Sequence, residues 1–117
     1  MLIRVRNETR AAELGRDVRV ASGLWPRLVG LLATPELPAG KGLWLNPCRS
    51  IHTFFMRYAI DAAFVNRENR IVHQATFRPW RMSAYIPSAR GVLELPAGTL
   101  ARTGTVVGDQ LSFGGEP

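Results

Sequence analysis

Apolar and polar residues alternate along Leu2-Ile3-Arg4-Val5-Arg6, and again along Val18-Arg19-Val20-Ala21. Period-two alternation marks a strand with one buried face. The two segments therefore predict a hairpin across the polar residues Asn7 to Gly15. The period then changes. Ser22 can cap a helix, and Leu24, Trp25, Leu28, Leu31 and Leu32 fall on one apolar stripe at helical spacing. Pro26 fits only a first turn and Thr34-Pro35 stops the run, which predicts one amphipathic helix over about residues 23–33, packed on a sheet.

Strand patterns return after residues 36–42, a loop by its proline and glycine content. Leu43-Trp44-Leu45, closed by Asn46-Pro47, reads as a buried strand. Ala62 to Asn66 and Arg70 to Phe77, joined by Arg67-Glu68-Asn69, predict a second hairpin. Residues 78–88 read as a loop, Gly91 to Leu95 and Gln110 to Phe113 as strands, and Thr99 to Thr103 as one helical turn. About seven short strands and one helix predict a mainly β single domain, a sandwich or barrel, over residues 1–113, with 114–117 as a loose tail. Neither βαβ alternation nor an internal repeat is visible.

A chain of 117 residues, 46% of them hydrophobic and 21% charged, can bury one core without staples. No apolar run approaches the roughly 20 residues of a spanning helix, and Met-Leu-Ile-Arg-Val-Arg carries charge where a secretory signal is apolar. The expectation is a soluble, cytoplasmic protein with no membrane partner. A single cysteine excludes an internal disulfide and a zinc site of several thiolates. Of the 15 cationic residues, 14 are arginine, and the net charge is +6. Arginine forks suit carboxylate or phosphate, but the arginines are spread along the chain with acids among them, so the sequence carries no specific nucleic-acid signal.

Pro47-Cys48, Ser50-Ile51-His52-Thr53-Phe54-Phe55-Met56, Ile60-Asp61, Phe64, Val92 to Gly98 and Gly108-Asp109 form a combined pattern, with Arg27, Gly30, Leu31 and Leu32 upstream. This pattern resembles the family called domain of unknown function 192. The resemblance implies a compact, mainly β single domain without an established activity. Many relatives look exported behind an N-terminal signal, and this sequence departs from them there.

The stretch from Pro47 to Asn66 gathers the only cysteine, one of two histidines and three of five phenylalanines around an acid. Three chemistries are open to it. Cys48 with His52 as base and Asp61 as orienting group would make a catalytic nucleophile, although a lone cysteine is more often a small buried apolar residue. His52, His73, Cys48 and Met56 are ligand types for copper, and His52 and Asp61 with Glu94 or His73 are acceptable for zinc. No spacing requires either metal, so neither a metal nor a cofactor is expected.

The third chemistry is a binding site. Arg49 and Arg57 flank the Phe-Phe-Met cluster, and Arg78, Trp80 and Arg81 form a second basic and aromatic group after the central hairpin. Loops could bring both groups together over Phe54, Phe55 and Met56. His52, Thr53, Met56, Arg57, Trp80 and Arg81 are then the expected lining of a cleft for a polar or anionic small molecule. The competing reading pairs each arginine with Asp61, Glu94 or Asp109 to fix loops. An enzyme at Cys48 or His52, or an interaction module without a ligand, are the alternative functions.

Overall fold

The computed structural model describes residues 1–21 and 36–115. The helix expected over residues 23–33 lies outside the described residues. Among the described residues there are seven strands, β1 (Leu2–Asn7), β2 (Ala12–Ala21), β3 (Lys41–Leu45), β4 (Ile60–Val65), β5 (Ile71–Phe77), β6 (Gly91–Pro96) and β7 (Leu111–Gly114), with a four-residue helix α1 (Thr99–Arg102) between β6 and β7. They form one sheet in the order β5-β4-β6-β3-β2-β1-β7. Both predicted hairpins, β1–β2 and β4–β5, are antiparallel pairs. β2 and β3 run parallel, with Asp17 opposite Lys41 and Ala21 opposite Leu45.

One expected turn is shorter than its composition suggests. The polar run from Asn7 to Gly15 reads as a turn, yet β2 already begins at Ala12. Pairing with β1 slips on either side of Val5, and Leu14 and Gly15 are both buried. Such an irregularity breaks strict alternation, which is why the sequence pattern fades there.

The sheet curls until its two edge strands meet at one corner. Arg70 and Gln110 form an isolated antiparallel bridge. Around it, the N–H of Ile71 donates to the Asp109 carbonyl at 3.1 Å and that of Leu111 donates to the Asn69 carbonyl at 2.8 Å. The result is a half-barrel with two cores, because β4 is buried on both faces. Ala63 and Val65 join Val5, Leu14, Val18, Leu93, Leu95 and Leu111 inside the curl. Ile60, Ala62 and Phe64 join Leu43, Leu45 and Val92 on the other face.

That second face needs a cover. Two connections, residues 46–59 and 78–90, supply part of it by running antiparallel to each other. The N–H of Ile86 donates to the Arg49 carbonyl at 2.8 Å, that of Ser83 to Ile51 at 2.9 Å and that of Thr53 to Arg81 at 2.8 Å. Ile51, Met56 and Ala89 from these connections are buried in the second core. Removing such apolar side chains from water stabilises by about 1.5–3 kcal/mol each. No helix among the described residues is long and apolar enough to cross a membrane.

Candidate functional site

Thr53 is the point from which the site is built. It is fully buried, and all its polar groups are used. Its carbonyl accepts from the N–H groups of Met56 at 3.2 Å and Trp80 at 2.9 Å. Its hydroxyl donates to the Arg78 carbonyl at 2.6 Å and accepts from the Arg81 N–H at 2.9 Å. One threonine therefore fastens two chain reversals together, Thr53 to Met56 and Arg78 to Arg81.

Both reversals carry an aromatic residue where glycine is favoured. Phe55 has φ of 69° and Trp80 has φ of 64°. Each is the third residue of its turn, the position that demands positive φ in a type II turn, and Pro79 is the residue favoured just before it. An L side chain in the left-handed region costs roughly 1–2 kcal/mol. Neither side chain recovers that cost by full burial, since Phe55 is 63% and Trp80 55% exposed.

The two rings meet, with centroids 4.7 Å apart. Phe54 stacks on Trp80 at 5.9 Å and His52 lies 4.9 Å from Phe54. A continuous aromatic row results: His52, Phe54, Trp80, Phe55. Met82 and Tyr85 continue the exposed apolar surface of the same connection at 70% and 62% exposure. Arg57, Arg78 and Arg81 are exposed on the same two connections. The Arg81 guanidinium donates to the carbonyls of Pro79 and Trp80 at 3.5 and 3.4 Å, bracing the second turn.

The family model for DUF192, described as an uncharacterized ACR, matches residues 5–113. The chain belongs to the DUF192 family. A UPF0127 protein of Pyrococcus furiosus is 31% identical over 114 residues, covering 92% of this chain and 95% of the relative. Among solved structures, the fold is similar to a Sinorhizobium meliloti protein whose name gives it as a candidate transcription regulator, with a TM-score of 0.76 at 21% identity, covering 95% of this chain and 91% of that one. A Novosphingobium aromaticivorans protein of unknown function matches with a TM-score of 0.75 at 20% identity, covering 96% of this chain and 84% of that one. Identities this low show the fold alone.

Within this DUF192 domain the six residues expected to line a cleft are close in sequence and fold but not alike in exposure. Thr53 and Met56 lie beneath the surface, at 0% and 5% exposure, and hold the site rather than face solvent. The reason is the covering role of residues 46–59, whose inward side chains belong to the second core. What they support is a ledge on which the rings of Phe55 and Trp80 are more than half exposed. His52, Arg57, Trp80 and Arg81 remain at the surface.

Each of the catalytic candidates has a hydrogen bond of its own. Cys48 donates to the Ser50 carbonyl at 3.1 Å, and the His52 ring nitrogen Nδ1 accepts from the Phe54 N–H at 3.3 Å. Asp61, buried on β4, accepts from the N–H groups of Gly98 at 3.1 Å and Leu100 at 2.9 Å and from the Thr76 hydroxyl at 2.6 Å. It ties α1 to β4 and β5. His73 packs on Phe64 in β5, with ring centroids 5.3 Å apart. Among the described residues no three His, Cys, Asp or Glu side chains gather as a metal-binding group. Glu94 is fully buried in β6, opposite Leu43 and Ala62.

The exposed surface formed by Met82 and Tyr85 was missed by sequence reasoning. Its one sequence signal is large apolar residues in a segment without strand or helix periodicity.

Proposed function

We propose that this protein is a binding module whose ligand, a polar or anionic molecule, rests on the aromatic ledge and is held by Arg57, Arg78 and Arg81. The observation that carries this reading is the pair of exposed aromatic rings in left-handed backbone, in tilted contact at 4.7 Å on two turns fastened through Thr53. Backbone strain held by the surrounding structure points to function when the strained side chain has no structural use. Here the chain accepts an unfavourable conformation twice in order to present rings to solvent.

The arginines support the same reading. The acids that might have occupied them are engaged elsewhere: Asp61 by backbone amides, and Asp109 by Arg10 at 3.0 Å. Among the described residues Arg57, Arg78 and Arg81 make no ion pair. Their forks remain available for carboxylate or phosphate.

A thermal-melt screen against phosphate-bearing metabolites, carboxylates and sugars tests the proposal. A ligand at a hundred times its dissociation constant adds roughly 2.7 kcal/mol of stability. One ligand class should raise the melting point in the parent protein, and Trp80→Ala and Arg81→Ala should abolish the rise. A rise that survives both substitutions would place the ligand elsewhere and defeat the reading.

A further inference from the structure

We propose that the aromatic ledge is a stacking platform for single-stranded nucleic acid. This rests on the ledge being the binding site and names the class of its ligand.

The first argument is charge, read by position in the fold rather than along the chain. Residues 46–60 and 77–91 contain five arginines and none of the nine acidic residues; Arg57, Arg78 and Arg81 are exposed on these two segments, whereas the Arg90 guanidinium lies over Trp44 and Phe113 and Arg49 lines a hollow with Glu68. The fold lays these two segments side by side over one face of the sheet, joined by the Ile86–Arg49, Ser83–Ile51 and Thr53–Arg81 hydrogen bonds. Acids do interrupt the arginines elsewhere in the sequence, but not here. Exposed cations without an acid partner, as at Arg57, Arg78 and Arg81, attract a polyanion and raise its rate of encounter.

The second argument is the shape of the aromatic surface. Rings that are 63% and 55% exposed do not enclose anything. A free small molecule gains affinity by being surrounded, whereas a strand gains it by adding one stacked base after another. The row His52, Phe54, Trp80, Phe55 has centroid steps of 4.9, 5.9 and 4.7 Å, enough length for more than one base. Aromatic side chains interleaved with arginine are the known requirement for holding unpaired bases with their phosphates.

The third argument is rigidity. The two turns share Thr53, so Phe55 and Trp80 are positioned before any ligand arrives and little freedom is lost on binding. Duplex DNA does not fit these features. Its bases are stacked within the helix and cannot lie on exposed rings, and among the described residues the one helix, α1, is too short to lie in a major groove.

The test is fluorescence anisotropy with a labelled 12-nucleotide oligothymidine, its duplex with oligoadenosine, and dextran sulfate as a competitor with charge but no bases. The single strand should bind at least about tenfold tighter than the duplex, and Trp80→Ala and Phe55→Ala should each weaken it at least about fivefold. If three arginines meet phosphates, raising salt from 50 to 200 mM should weaken binding by about 20-fold. Trp80→Gly, which suits the backbone, provides a folded variant without the ring and should bind as weakly as Trp80→Ala. Equal binding of duplex, displacement by dextran sulfate at equal charge, or unchanged affinity in both Trp80 variants would overturn the proposal. Binding of citrate or a sugar phosphate that depends on Trp80, without binding of the strand, would overturn this inference and leave the ledge as the binding site. No anion binding at Trp80 of any kind would remove both.

Discussion

The two ends of β5 treat polar and apolar groups in opposite ways. At Ile71, where the sheet edges meet, Asn7, Thr105 and Asp109 are buried and bonded to one another: the Asn7 amide donates to Thr105 at 3.0 Å and to Asp109 at 2.9 Å, and Arg10 donates to the same carboxylate at 3.0 Å. Beyond Phe77, at the other end, Trp80, Met82 and Tyr85 are more than half exposed and the backbone is strained. One end is built to hold the fold closed. The other keeps costly surface open, and stability alone gives no reason for it.

The largest effect should come from the closed end. Asp109→Ala leaves Asn7, Arg10 and the Val106 N–H without this acceptor; Arg10 is partly exposed and can turn to water, but each inward donor left unsatisfied costs about 1–3 kcal/mol, and two lose the same oxygen. Chemical denaturation should show that loss with little change in ledge binding. A comparable loss of binding would mean the two ends are coupled and would break the comparison.

Next in size is Thr53→Val, which keeps shape but removes the hydroxyl that bonds Arg78 and Arg81. Leaving those buried groups unsatisfied should cost about 2–3 kcal/mol, and here binding should fall with stability, because the turns lose their common anchor.

Acid should separate the ends by a third route. Burial pushes the Asp109 carboxyl up, but hydrogen bonds from Arg10, Asn7 and Val106, with the charge of Arg10, outweigh it and hold the group below its ordinary value. A group lowered on folding contributes stability that is present above its unfolded value, about 3.9, and is lost as the pH falls through its folded value. The melting point should therefore drop below about pH 4. Asp109→Asn should flatten that drop, and an unchanged pH profile would show that other carboxylates govern it.

The smallest effect should be the most informative. Trp80→Gly relieves the left-handed strain and Trp80→Ala does not, so the glycine variant should be the more stable of the two by about 1 kcal/mol. A glycine variant clearly less stable than the parent protein would show that the ring has a structural use after all.

The strands were legible because β1, β5, β6 and β7 repeat at period two or sit between proline and glycine signals, and even the single turn α1 was marked by Pro96-Ala97-Gly98. The family pattern was legible too. What composition hid was the meeting of distant segments. Nothing local says that the N–H of Leu100 binds Asp61, or that Asp109 rather than a loop carboxylate takes Arg10. The Pro79-Trp80 pair hints at a turn, but the positive φ of Phe55 has no sequence mark at all. The arginines illustrate the same gap, since their spread along the chain concealed that folding lays the segments carrying Arg57, Arg78 and Arg81 side by side.

The pairing of β1 with β7 also bears on how the molecule is made. Arg4 is opposite Gly114 and Asn7 opposite Leu111, so β1 completes its ladder only with β7, far along the chain. Contacts this distant in sequence slow folding. A nascent chain paused before Leu111 should therefore remain sensitive to protease, and release of four more residues should protect it.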